Sequence, residues 1–119
     1  MERVLDPGPI PYDRIELYGD PDLEHGLRHY GVEPDASTYR LIEIPVSAIT
    51  DTASMPHRLW DRGLVDVIRS GVPLPPIVVF RNWRGPGWGL LDGVNRTNAF
   101  LACSVETTRA YEVLEPPVP

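Results

Sequence analysis

Three prolines in four positions, Pro73-Leu74-Pro75-Pro76, stand directly ahead of the apolar run Ile77-Val78-Val79-Phe80. Proline fixes φ and carries no N–H, so residues 73–76 cannot be helix and must deliver the chain in extended form. The run that follows is short and β-branched, which predicts a buried strand. The Gly- and Pro-rich stretch from Asn82 to Gly87 predicts a turn. Trp88-Gly89-Leu90-Leu91-Asp92 then predicts the partner strand of a hairpin.

The 119 residues suit one domain and are enough to bury a core. Hydrophobic residues make up 42% and charged residues 24%. Those are ordinary globular values, so collagen, coiled coil and wholesale disorder are excluded. No apolar run approaches the ~20 residues of a membrane span. Residues Met1 to Pro7 lack the apolar core of a signal peptide. The single cysteine, Cys103, has no disulfide partner in the chain and belongs to no Cys-x-x-Cys metal pair. A soluble cytoplasmic protein is expected. All 11 basic residues are Arg, so lysine Schiff bases and a Walker-type lysine are outside the available chemistry.

Pro7, Gly8, Pro9 and Pro11 make residues 1–14 an extended arm, poorly ordered unless it packs on the body. Ile15 to Tyr18 predicts a short strand. Asp20-Pro21 predicts a helix start, with the helix running to Tyr30 and stopping at Gly31. Residues 33–39 and 50–56 read as loops, and Leu41 to Val46 as a strand with an edge or turn at Pro45. A helix is predicted over 57–70, with Leu64, Val67 and Ile68 inward and Gly71 at its end. A second follows from about Val94 to Cys103, and Thr107 to Leu114 closes the domain as a strand. Alternating strands and helices predict an α+β (mixed α/β) fold, a small mixed sheet with packed helices.

Net charge is −6, which argues against a general nucleic-acid binder. Residues 1–40 carry 9 acidic and 4 basic residues, whereas 57–96 carry 3 acidic residues against 6 Arg. By composition that cationic island reads first as a solvated surface whose arginines pair with nearby carboxylates. Its second reading is a site for a small anionic ligand.

The segment Leu91-Asp92-Gly93-Val94-Asn95-Arg96-Thr97-Asn98-Ala99 is a strand, a glycine and a helix start. Such a helix start presents unpaired N–H groups and partial positive charge, so it suits phosphate. Gly93 permits a sharp turn and a close approach. Asn95, Thr97 and Asn98 add neutral hydrogen-bonding groups, and Arg96 adds a fork suited to phosphate or carboxylate. Arg96, Ala99, Phe100 and Cys103 fall on one helical stripe that otherwise reads as core. An arginine there either marks a site, or caps a neighbouring carbonyl or pairs with Asp92 or Asp66.

Other candidates are plainer. Cys103 reads as a small buried hydrophobe. His25 and His29 share a helix face, but no Glu follows the first as in a zincin, and no metal is expected. No Ser-His-Asp arrangement can be drawn from the three histidines, 25, 29 and 57. Trp83 falls in the hairpin turn and reads as exposed, while Trp60 and Trp88 read as core.

Taken in order, Ile44 to Ile49, Arg58, Leu64 to Gly71, Pro75 to Val79, Asp92 to Ala99 and the closing strand resemble the ParB/sulfiredoxin-like superfamily. The resemblance covers about residues 41–115. It divides the chain into an acidic extension (1–40), that domain and a tail (116–119). It implies a nucleotide site, CTP or ATP/ADP with Mg²⁺, on Gly93, Val94, Asn95 and Arg96, with Thr97 and Asn98 just after. It also places Pro76 and Ile77 beside the nucleotide and Arg58 near a family arginine. Sulfiredoxin has Cys then His before the Arg. Val94 and Asn95 stand there instead, so sulfinic-acid reduction is not expected. ParB's Glu-Arg ahead of its final Arg is also missing. Its helix-turn-helix region has no counterpart in these 119 residues, so direct DNA binding and chromosome segregation are not expected.

Two functions remain. One is a nucleotide- or phosphate-binding domain that extends to hydrolysis or phosphoryl transfer, for which Asp92 and Glu43 are the candidates for a carboxylate base. The other is a non-enzymatic interaction module, its anion site regulatory or degenerate, with a protein partner on the acidic N-terminal region.

Overall fold

The structure, a computed structural model, describes residues 2–17, 23–51, 62–81 and 87–114. In chain order the elements are β1 (Arg3–Pro11), α1 (Leu23–His29), β2 (Thr38–Pro45), β3 (Ile49–Asp51), α2 (Arg62–Arg69), β4 (Ile77–Arg81), β5 (Trp88–Asp92), α3 (Val94–Ala102) and β6 (Thr107–Val113). The six strands form one sheet in the order β1-β2-β6-β4-β5-β3. β6 pairs antiparallel to β2 and parallel to β4, and β3 runs parallel to β5, so the sheet is mixed. The expected α+β architecture is therefore the one present.

β4 lies between β5 and β6 with both faces covered, which is why its sequence is continuously apolar. Val78 and Phe80 join a core with Leu23 and Leu27 of α1, Leu91, Tyr39 and Tyr111. Ile77 and Val79 join the opposite core with Ile42, Ile44, Leu90, Ala110 and Phe100 of α3. Leu64 and Val65 of α2 meet Ala99 of α3 in a third cluster. Val65 takes the buried place expected of Val67, because α2 turns its inner edge toward α3.

The N-terminal arm is ordered by pairing. β1 is an edge strand antiparallel to β2, with Arg3 opposite Glu43 and Pro11 opposite Thr38. Its register slips between Asp6 and Ile10, around Pro7 and Pro9, where proline cannot donate to a ladder. Ile15 to Leu17 is not the expected strand. A 3₁₀ turn over Tyr12–Arg14 precedes it, and Ile15 enters the core on a single extended residue. The predicted loop over 33–39 holds a 3₁₀ turn (Pro34–Ala36), and β2 already starts at Thr38. The predicted loop at 50–56 begins inside β3. The predicted helix start at Asp20-Pro21 and the first turn of the helix over 57–70 lie outside the described residues. Among the described residues no helix is long and apolar enough to cross a membrane.

Candidate functional site

Two glycine requirements place the site. At Gly89 a Cβ would fall 2.1 Å from Phe80 Cζ, so the Phe80 ring lies flat against bare backbone of β5. At Gly93 the chain leaves β5 with φ of 111°, a left-handed value that glycine adopts freely. A Cβ there would fall 2.5 Å from Ile77 Cγ2. Gly93 is thus needed both for its turn and for the closeness of β4.

Gly93 caps α3 without a side-chain hydrogen bond, and no acidic residue occupies the first turn. The Gly93 carbonyl accepts from the Thr97 N–H at 2.8 Å. The amides of Val94, Asn95 and Arg96 precede that bond, where a helix offers no internal acceptor. Asn95, Asn98 and Val94 are half-buried around this start. Thr97 is buried, and its Oγ1 meets no partner.

The Arg96 side chain is 2% exposed. Its Nη1 donates to the carbonyls of Pro75 at 2.7 Å and Pro76 at 2.8 Å. Its Nη2 donates to Asp92 Oδ2 at 3.3 Å. Both alternatives to a ligand-holding role, a carbonyl cap and a pair with Asp92, are therefore realised at once. The two prolines contribute carbonyl acceptors but no N–H of their own, and Arg96 is the donor that meets both carbonyls. The residue pattern alone does not reveal that use of Pro75 and Pro76. The signal lay in an arginine on a core stripe with a proline pair about 20 residues before it.

Asp92, Gly93, Arg96, Pro76 and Ile77 therefore meet at one place, with Val94, Asn95, Thr97 and Asn98 on the adjoining turn of α3. Glu43 does not join them. It sits on β2, separated from β5 by β6 and β4, and pairs with Arg3 at 3.4 Å. Arg58 lies outside the described residues, as do His57, Trp60 and Trp83. Trp88 is buried, with the Arg81 guanidinium 4.2 Å from its ring centroid. Cys103 is half-buried, with Sγ 3.9 Å from the Val65 carbonyl oxygen. Among the described residues no three His, Cys, Asp or Glu gather as a metal-binding group.

No family model and no curated protein matches this sequence. The solved structures do include a similar one, a ParB-N domain described as Pnob8-like. It superposes with a TM-score of 0.52 at 15% identity, over 65% of this chain and 30% of that one. The chain has a ParB-like fold, and its matched part spans under a third of the length of that protein.

Proposed function

We propose that the chain is a ParB-like module that binds the phosphate groups of a nucleotide, CTP or ATP/ADP with Mg²⁺, at the start of α3. The observation that carries this reading is the α3 start itself: a left-handed glycine leading into a first turn without an acidic residue. Such an end offers N–H groups and partial positive charge to an anion. Asn95 adds a donor beside it, and the Thr97 hydroxyl has unused capacity. Arg96 serves as the brace that holds the Pro75–Pro76 segment against the loop. Asp92 is buried against Arg96 and Glu43 is two strands away, so neither favours a base for phosphoryl transfer. Binding is the activity this arrangement supports best.

One observation favours a second reading. The Arg96 guanidinium is already engaged by two carbonyls and a carboxylate. That suits an interaction module whose anion site is degenerate. Calorimetric titration with CTP, ATP and ADP, each with and without Mg²⁺, separates the two. Wild-type protein is expected to bind one nucleotide with micromolar affinity. Asn95→Asp is expected to abolish that binding with no loss of melting temperature, because a carboxylate near a helix start favours the helix and repels phosphate. No heat with any nucleotide, from folded wild-type protein, overturns the nucleotide reading and leaves the second.

A further inference from the structure

We infer that the apolar groove beyond the C-terminal end of α2 is a contact surface for a second copy of this chain. The groove is a shallow, open depression of about 270 Å³, and Leu74, Phe100 and Val105 line it. Val72 forms its lip and is 57% exposed, a large apolar side chain standing in water. Gly71, at φ of 82°, turns the chain out of α2, and Pro73 keeps the next step extended. Val72 is thereby presented beside the groove.

A two-fold contact uses the same patch on both subunits, so the patch must complement itself. This one carries a knob, Val72, next to a hole of matching character. Its rim complements itself in charge as well. Glu43 and Arg109 face one another directly across β2 and β6, and both border the groove. They do not pair with each other. Glu43 meets Arg3, and Arg109 donates to the Leu74 carbonyl at 3.1 Å. Under a two-fold axis, Arg109 of one copy meets Glu43 of the other, while Val72 of each enters the opposite groove. The chain carries a net charge of −6, which keeps copies apart over most of its surface. The rim's one acid and one base add no net charge to that repulsion. A groove of this size admits one or two side chains, so the contact belongs to the weak class, below ~1,200 Å². The groove meets α3 at Phe100, beyond its first turn, and the association needs no nucleotide.

Sedimentation velocity of the full chain without nucleotide, from micromolar to millimolar concentration, tests this. Wild-type protein is expected to shift from monomer to dimer across that range. Val72→Asp is expected to stay monomeric with an unchanged melting temperature, since Val72 is exposed. Glu43→Arg leaves a rim of two bases, and Arg109→Glu a rim of two acids. Each alone is expected to be monomeric, and an equimolar mixture is expected to dimerise. Three results overturn the inference: wild-type monomer at millimolar concentration, Val72→Asp that dimerises like wild type, or a mixture of the folded charge variants that fails to associate.

Discussion

Arg96 and Asp92 are four residues apart and pair at 3.3 Å, with both side chains buried. The pair bridges the joint between the last residue of β5 and the first turn of α3. Arg96 also grips Pro75 and Pro76, so one guanidinium fixes three chain segments.

Removing that guanidinium takes a charged donor away from a buried carboxylate and from two carbonyls. Arg96→Ala is expected to cost about 3–5 kcal/mol, the usual penalty for removing one partner of a buried ion pair. Arg96→Lys is expected to recover only part, because an ammonium cannot reproduce a planar fork. Arg96→Ala combined with Asp92→Ala is expected to cost less than the sum of the single changes. Urea denaturation of the four variants reads each value. Additive losses would show that the pair does not act as a unit.

Gly93→Ala places a methyl against Ile77 at a backbone angle that only glycine takes easily. The expected loss is about 1–3 kcal/mol from the backbone alone, with the contact adding to it. Thermal melting measures the total. An unchanged midpoint would mean that neither the turn nor the close approach constrains this joint.

Gly89→Ala meets the Phe80 ring at 2.1 Å. Overpacking of this kind costs about 1–3 kcal/mol or more. Phe80→Leu in the same chain is expected to relieve part of it, giving a coupling of about 0.5–3 kcal/mol between the two positions. A double-mutant cycle by denaturant melts checks the sign.

Burial, then the Glu24 carboxylate that accepts its hydroxyl hydrogen bond at 3.1 Å, raises the Tyr12 phenol above its ordinary value of 10.0. The folded protein therefore holds this proton more tightly than the unfolded chain does. The stabilisation is complete below the ordinary phenol value and is lost as pH rises through the raised one. Wild type is expected to lose more stability than Tyr12→Phe between about pH 8 and about pH 11. Equal losses in the urea midpoints of the two proteins would refute the assignment.

Much of the sheet was legible because local and tertiary demands agree. The Pro73–Pro76 approach, the β4 run and the α3 stripe each carry one pattern with one outcome. The N-terminal part was harder to read. Pro7, Pro9 and Pro11 argue locally against a strand, yet β1 needs donors on only one side, and β2 supplies the other half of the ladder. Ile15 carries a strand residue's character but is buried by its neighbours in space, Tyr111 and Leu23, without a ladder. At the site, Gly93 and Arg96 were recognisable as a pair. The partners of Arg96 were not, since backbone carbonyls leave no mark in a sequence. The distance of Glu43 from Asp92 follows from strand order, which pairs residues far apart along the chain.

That strand order has a further consequence. β6 is the last of the described strands in sequence but sits inside the sheet, with β2 on one side and β4 on the other. Until β6 arrives, β1–β2 and β4–β5–β3 have no ladder joining them. The two halves of the sheet can form early but stay separate, and their union waits on the final stretch of described chain. Contacts of such long sequence separation slow folding. A ribosome-bound chain short of Thr107 would hold two partial sheets with open edges, and completing seven residues of strand would turn them into one.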